Sequence, residues 1–377
     1  MISSAGPVVK PVSLTRLEVR RLRCIEHLVL EDLSLKNLLF GRNGSGKTSL
    51  LEALGLLSMG KSFQAGKSRD LIQRAADDLE VRGAVRFPGG RDAEVLVRKS
   101  GSQTHAHWNR IDVGAASELS SKLPMVVVTP DSIDLVRGGP AQRRRVLDKT
   151  MFHVEPSFRS VFRDYQRAVS QRAALLRSGA APGAFGYWHE AIAQTATRLD
   201  TWRREASNRL ATALEAMPWP DELPRIRLEY KRGWPEGDAL SELLHDALAS
   251  DRQTGRMRYG PQRAEIRFGS DEGDVRHAFS RGQARVVATA LLLAQWQIIA
   301  SASGVGPILL FDDLGAELAR DYRAWVAERL AETAAQVFVT ATERGLVDEG
   351  LIGADAAVFH VEHGNARRVN APVPGRG

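Results

Sequence analysis

The chain has 377 residues, 43% of them hydrophobic and 26% charged, a composition that supports a globular core in one large or two ordinary domains. The formal net charge is +7, most of it arginine, which leans towards a polyanionic partner such as nucleic acid or an acidic membrane surface. A lone cysteine, Cys24, excludes an internal disulfide and a cysteine-based zinc site; the nine histidines lack ligand spacing, so no structural metal is indicated and a reducing cytosol is the natural compartment.

Met1 to Val12 lacks the basic start and apolar run of a signal peptide and reads as a disordered extension. Leu14 to Val19 alternates like a strand, Leu28 to Leu30 is a second short apolar run, and Leu38 to Phe40 a third. The third run leads into Gly41-Arg42-Asn43-Gly44-Ser45-Gly46-Lys47-Thr48, a complete G-x-x-x-x-G-K-[ST] loop. Thr48 to Met59 then reads as a helix with Leu50, Leu51, Leu54 and Leu57 at helical spacing. Strand, loop and helix are the context in which such a loop cradles a nucleoside triphosphate. Its backbone amides and the helix dipole face the phosphates, Lys47 supplies a cation to the β/γ oxygens, and Thr48 supplies a hydroxyl to Mg²⁺.

Further strands are expected at Glu80 to Phe87, Ala93 to Val97 and Met125 to Val128. From Glu155 to Met217 strand signals vanish. Phe158, Phe162, Tyr165, Val169 and Leu176 mark one helix, and Trp188, Ile192, Leu199, Leu210, Leu214 and Met217 a second. The turn-rich run Ser178 to Gly183 separates them, which predicts an antiparallel helical arm of roughly 30–45 Å per helix at ~1.5 Å per residue. Pro218, Pro220 and Pro224 end it, and strand signals return at Ile226 to Tyr230 and Glu265 to Phe268. The last third alternates helix (Ala284 to Ala300), strand (Ile308 to Phe311), helix (Arg320 to Ala335) and strand (Val337 to Thr340), an α/β pattern with a largely parallel sheet. Val286 to Ala300 is apolar, but Gln295 and Gln297 interrupt it and the run is shorter than a bilayer requires, so it reads as a buried helix. The Gly-, Pro- and Arg-rich tail after His363 reads as mobile.

Ile308 to Phe311 runs into Asp312 and Asp313. Acids at the carboxyl end of an apolar strand in an open α/β sheet stand beside bound phosphates. Asp312 is the candidate Mg²⁺ holder, and Asp313 and Lys47 the candidate catalytic groups, Asp313 polarising the attacking water. Phe279-Ser280-Arg281-Gly282-Gln283, opening the apolar helix before that strand, resembles the L-S-G-G-Q signature of ABC ATPases. By that resemblance Ser280, Gly282 and Gln283 close over the γ-phosphate held by a second subunit.

The interval between P-loop and signature is longer than in transporter ATPase subunits and far shorter than in SMC proteins with their long coiled coils. With Leu22-Arg23, Gly60-Lys61-Ser62-Phe63, Asp70-Leu71-Ile72, Pro130-Asp131-Ser132, Gly138-Gly139-Pro140, Arg143-Arg144-Arg145, Leu147-Asp148, Tyr165, Gln171-Arg172 and Gly260-Pro261-Gln262-Arg263, the chain resembles the RecF family over about residues 14 to 345. It departs from the family in Gln262, Ala264 and Glu265, where G-P-H-R-D-D is usual, and in Ala316-Glu317-Leu318-Ala319, where S-E-L-D is usual. Gln64 stands where a basic residue is usual, and no switch histidine stands near Thr340-Ala341-Thr342.

The resemblance implies an ABC-type ATPase head, α/β with a P-loop and a mixed sheet flanked by helices, and an inserted helical lobe carrying the arm. The ATP-binding lobe is expected at 1–125 and 300–377, and the helical lobe at 126–299 with the arm at about 155–217. It adds Arg23 and Ser49 to the ATP-binding residues and names ATP and Mg²⁺ as cofactors. It implies an ATP-dependent homodimer at single-/double-strand DNA junctions that assists RecA loading with RecO and RecR, in DNA repair, replication and the SOS response. The expected location is the cytoplasm, at the nucleoid and without membrane association. Turnover would be slow and DNA-stimulated, serving as a switch. No motif fixes the DNA contacts. The candidates are Arg143, Arg144 and Arg145, and Arg159, Arg163 and Arg167, which share a helical face. Two other readings stay open: an ATPase subunit of a membrane transporter or chromosome-associated machine, and a nucleotide-switched binding protein with negligible turnover.

Overall fold

The computed structural model describes residues 9–64, 68–271, 273–315, 318–348 and 350–369. The chain divides into two units, Met1–Ser132 with Arg281–Gly377, and Ile133–Ser280.

The first unit is built on two six-stranded sheets. One runs in the order Asn365–Val369, Ala357–Glu362, Lys36–Phe40, Val337–Ala341, Ile308–Phe311, Met125–Val128; all its pairings are parallel except the first. Ile308–Phe311 and Val337–Ala341 are buried at every position, which is why their sequences are continuous apolar runs instead of alternating ones. The other sheet is antiparallel, in the order Ile25–Leu30, Ser13–Leu22, Asp78–Arg86, Asp92–Ser100, Gln103–Trp108, Ile111–Asp112.

The helix Lys47–Met59 packs on both sheets and is buried along nearly its whole length. Having almost no solvent face, it carries leucines around its circumference, and they join side chains of both sheets in one core. The buried Gln336 ties the two sheets together: it accepts from Leu14 N at 2.7 Å and donates to Leu14 O at 2.7 Å and Ser34 O at 3.0 Å. The helix Arg281–Ser303 packs against Met125–Val128. It is the one described helix long and apolar enough to cross a membrane, and 78% of its apolar window is buried inside the protein.

The second unit holds the helices Pro140–Val154, Phe158–Arg177, Gly186–Ala216, Leu240–Asp246 and Leu248–Thr254. It also holds a small antiparallel sheet of Arg227–Lys231, Glu265–Ser270 and Gly273–Asp274. Phe158–Arg177 and Gly186–Ala216 pack side by side as the arm. The buried stripe of the longer helix is His189, Ile192, Ala196, Leu199, Arg203, Ala206, Leu210 and Leu214, a three/four alternation that keeps one face turned inward.

Several expectations are corrected. Lys10–Pro11 pairs in parallel with Val305–Gly306, and Val12 is fully buried, so the last part of the expected N-terminal extension is sheet; residues 1–8 lie outside the described ones. Asn365–Val369 is an edge strand paired with Ala357–Glu362, although a mobile tail is expected after His363. Its two arginines suit an edge that must not recruit another strand; residues 370–377 lie outside the described ones. Gln103–Trp108 is a strand whose polar composition hides it, and Pro140–Val154 is a helix hidden by its charged residues. On Phe158–Arg177 the buried line runs through Phe158, Val161, Tyr165, Ala168 and Arg172, leaving Phe162, Val169 and Leu176 half-buried. Two polar residues displace apolar ones from the stripe because they have partners: Tyr165 donates to Gln262 Oε1 at 2.6 Å, and Arg172 pairs with Asp251 at 2.8 Å. A boundary at 299 puts the helix Arg281–Ser303 in the helical lobe; its packing against Met125–Val128 assigns it to the first unit.

Candidate nucleotide site and the arginine blocks

The loop Gly41–Thr48 leaves the end of Lys36–Phe40 and enters the helix Lys47–Met59. Two glycines are required where they stand. A Cβ on Gly41 would lie 2.1 Å from Val361 O, and Gly46 has φ +113° in the left-handed region as the helix begins. Arg42, Asn43 and Gly44 form the exposed crest of the loop; Ser45, Gly46, Lys47 and Ser49 are buried and Thr48 is half-buried. The Lys47 ammonium donates to Gly41 O at 2.6 Å and Arg42 O at 3.0 Å. Burial lowers its pKa, and Asp313 and Asp312 oppose that shift. It is thus a desolvated cation held inside the loop beside two acids.

The strand Ile308–Phe311 delivers the acids. Asp312 N donates to Val128 O at 2.8 Å, and the Asp312 carboxylate, 4% exposed, accepts from Thr48 Oγ1 at 3.1 and 3.2 Å and from Thr340 Oγ1 at 2.7 Å. Burial raises its pKa, the two hydroxyls lower it, and Asp313 adds to the rise. A carboxylate in that position gains from a cation. At Asp313 the chain turns into the left-handed region, φ 56°, a conformation that aspartate tolerates better than most residues. Its backbone is held on both sides: Asp313 N donates to Thr340 Oγ1 at 2.7 Å, and Arg285 Nη2 donates to Asp313 O at 2.7 Å. Asp313 Oδ1 and Ser45 Oγ are buried without a hydrogen-bond partner among the described residues. A glycine-built loop at the start of a buried helix, a desolvated lysine, a hydroxyl–carboxylate pair and two unpartnered oxygens fit a magnesium–triphosphate. Among the described residues no group of three His, Cys, Asp or Glu could hold another metal.

Thr340 and Arg285 are contributions the sequence conceals, because a threonine in a strand and an arginine in an apolar helix carry no motif. Glu52 is another. It lies one turn beyond Thr48, fully buried, accepting from Arg23 Nη2 at 2.8 Å and Ser62 Oγ at 2.5 Å. Arg23, expected at the nucleotide, therefore has its guanidinium on Glu52 and on Gln64 Oε1, at 3.1 Å. Of the signature residues, Ser280 is exposed and ends the second unit, while Gly282 and Gln283 lie in the first turn of Arg281–Ser303. In the segment after the acids, Ala316 and Glu317 lie outside the described residues.

The arginine blocks need correction. Arg143 is 1% exposed; it makes a two-point pair with Glu265, at 2.8 and 3.0 Å, and donates to Gly138 O at 2.8 Å. Arg144 donates to Ala264 O at 2.8 Å and is half-buried. Arg203 pairs with Asp148 at 2.7 Å and donates to Pro261 O at 2.6 Å. The Arg143–Asp148 block and the Gly260–Glu265 block thus form one buried polar cluster. Arg143 is spent inside it, because a buried guanidinium needs carboxylate and carbonyl partners, and it presents no charge to DNA. Arg145, Arg163 and Arg167 are exposed and Arg159 is half-buried.

A family model described as the RecF/RecN/SMC N terminal domain matches residues 13–366. The DNA replication and repair protein RecF of Thioalkalivibrio sulfidiphilus is 37% identical over 359 residues, covering 94% of this chain and 99% of that protein. The protein of the same name from Xanthomonas axonopodis pv. citri is 39% identical over 367 residues, covering 94% and 98%. The solved structure of a recombination mediator protein RecF with ATP, from the RecFOR pathway, superposes with TM-score 0.85 at 23% identity over 98% of this chain and all of that one. An Smc head bound to the C-winged helix domain of ScpA gives 0.60 at 16% identity, covering 96% and 98%. The fold is that of an ABC-type ATPase head.

Proposed function

The chain belongs to the RecF/RecN/SMC N-terminal domain family, in its RecF branch, and from that membership we propose an ATP-dependent DNA-binding protein of recombinational repair and replication-fork maintenance. The observation that carries this reading is the meeting of Thr48, Asp312 and Thr340, with Lys47 and Asp313 alongside. The names of the relatives support the repair and replication part of it.

ATP is the ligand of Gly41–Thr48. The loop amides and Lys47 neutralise its β/γ oxygens, and Arg23, freed from Glu52, and Ser49 support it from behind. Thr48 and Asp312 would hold Mg²⁺, which when bound screens the charge that develops on the transferred phosphoryl group. Asp313, its backbone pinned by Thr340 and Arg285, accepts a proton from the attacking water. Ser280, Gly282 and Gln283, at the start of a long helix, complete the γ-phosphate site of a second copy, so ATP favours an isologous homodimer. The dimer binds DNA at single-/double-strand junctions through phosphate contacts, in the cytoplasm at the nucleoid. It acts there with RecO and RecR in loading RecA. Slow, DNA-stimulated hydrolysis reopens it.

The test uses Asp313→Asn, which blocks hydrolysis, with Mg²⁺ and ATP. Light scattering is expected to report a dimer, and anisotropy is expected to report binding to a gapped duplex, both only with ATP. Ser280→Arg in that background is expected to abolish both while leaving ATP affinity unchanged. A protein that stays monomeric and ignores DNA with ATP bound would overturn the reading.

A further inference from the structure

In the second unit, a concave surface of about 510 Å³ is lined by Ser250, Asp251, Thr254, Arg256, Arg258 and Arg263. All three arginines are exposed, and among the described residues none pairs with a carboxylate. This sets them apart from the arginines whose charge is met by a carboxylate of the protein itself, such as Arg143, Arg172 and Arg203; Arg258 lies over the Tyr259 ring but remains exposed. The single acid in the concavity does not neutralise them. Asp251 is fully buried; its Oδ2 takes the buried Arg172, and its Oδ1 accepts from the backbone N of Arg258 at 3.0 Å. Arg252, on the preceding helix, is also occupied, donating to Ala180 O and lying over the Phe185 ring.

The arginines stand on a fixed frame. The helix Leu248–Thr254 ends at Gly255, φ 66°, and the chain to Tyr259 is tied at several points. Gln262 Nε2 donates to Tyr259 O at 2.9 Å. Arg263 donates to Met257 O through Nε and Nη2, at 3.1 and 3.0 Å. Thr254 Oγ1 donates to Arg256 O at 3.3 Å. Backbone order is thus already in place, so an anion binding here costs little loop entropy.

A second concavity of about 310 Å³ adjoins the first and shares Arg256 and Arg263 with it; Val169, Leu176 and Met257 give it an apolar wall. An arginine-lined concavity next to one with an apolar wall, joined by two guanidinium groups, suits a polymer that alternates phosphate with sugar better than it suits an isolated anion.

We propose that Arg256, Arg258 and Arg263 form a binding site for the phosphodiester backbone of DNA, separate from Arg159, Arg163 and Arg167 and from the nucleotide site. The inference rests on the DNA-binding reading above and names a place for it. The contacts are to phosphate, so they add affinity and salt dependence but no sequence preference.

The test compares the full-length protein with Arg256→Ala/Arg258→Ala and Arg256→Lys/Arg258→Lys, all with Mg²⁺ and ATP. Arg263 is left intact because it holds Met257 O. A fluorescent gapped duplex is titrated across a salt series. The alanine variant is expected to bind about tenfold more weakly, with a log–log salt slope smaller by about two, one for each lost phosphate contact. The lysine variant is expected to keep the slope, and both variants to keep ATP affinity and melting temperature. Wild-type affinity and slope in the alanine variant would overturn the site while leaving DNA binding itself intact. A wild-type protein that ignores the duplex would instead remove the functional reading and the site with it. Inorganic phosphate at matched ionic strength provides the remaining arm. Calorimetric phosphate binding that vanishes in the alanine variant, with DNA affinity unchanged, would assign the site to a free anion and overturn the proposal.

Discussion

The Thr48 hydroxyl donates to both oxygens of the Asp312 carboxylate, at 3.1 and 3.2 Å, across 264 positions of sequence. Thr48 is fixed by the start of its helix and Asp312 by the end of its strand. Their meeting therefore depends on neighbouring parallel strands presenting their carboxyl ends together. Thr340, on the strand between them, holds the same carboxylate and the next backbone amide.

Lys47→Ala is expected to abolish measurable ATP turnover and to lower nucleotide affinity at least about tenfold, because it removes the one cation the loop places at the phosphates. The fold should persist, since the ammonium's partners are two loop carbonyls and no core group. Binding of a fluorescent ATP analogue, phosphate release and thermal melting check the three parts; normal turnover in a folded variant contradicts the site.

Asp313→Asn is expected to slow single-turnover hydrolysis by about 10²–10³ while ATP still binds, as for loss of a positioned polar group at a reacting centre. Thr340 and Arg285 hold the residue through its backbone, so the amide side chain should occupy the same place. Rapid-quench measurement of phosphate formation decides it, and an unchanged rate removes Asp313 from the chemistry.

Arg143→Ala is expected to cost about 3 kcal/mol of stability, since it strands Glu265 and the carbonyls of Leu135, Val136 and Gly138 in a largely buried cluster. Arg163→Ala, on an exposed face, should stay within about 0.5 kcal/mol. Urea titrations of both proteins provide the comparison. Equal stabilities would mean that the Arg143 cluster is not structural.

His189 gives a pH signature. It is buried beside Arg172 and His245, and burial first, then those two charges, pushes its pKa down from 6.5 to about 4. The folded protein keeps it neutral over that window while the unfolded chain takes up a proton, so stability is fully present above 6.5 and falls as pH drops towards 4. Removing the imidazole removes that slope. Thermal unfolding of wild type and His189→Gln should show the wild type losing about 2 kcal/mol more than the variant between the two pH values. Parallel pH profiles would mean that His189 is not protected in the native state.

Local pattern alone was enough for the phosphate loop, the apolar strands Ile308–Phe311 and Met125–Val128, the paired acids and the helical arm. Each is a run of adjacent residues whose periodicity or motif carries its own physics: glycines where the backbone must turn, leucines around a helix with almost no solvent face, acids at a strand's end. The tertiary structure alone decided which charges are spent and which are offered. Arg143 and Arg163 look alike in sequence, yet one is buried on Glu265 and the other faces water. Nothing local marks Arg256, Arg258 and Arg263 as exposed and without a carboxylate partner among the described residues. Thr340, Arg285 and Glu52 entered the site for the same reason. A guanidinium, hydroxyl or carboxylate takes its role from the partners that distant strands and helices bring within hydrogen-bond reach. Those partners exist only once the sheets have closed on the helix Lys47–Met59.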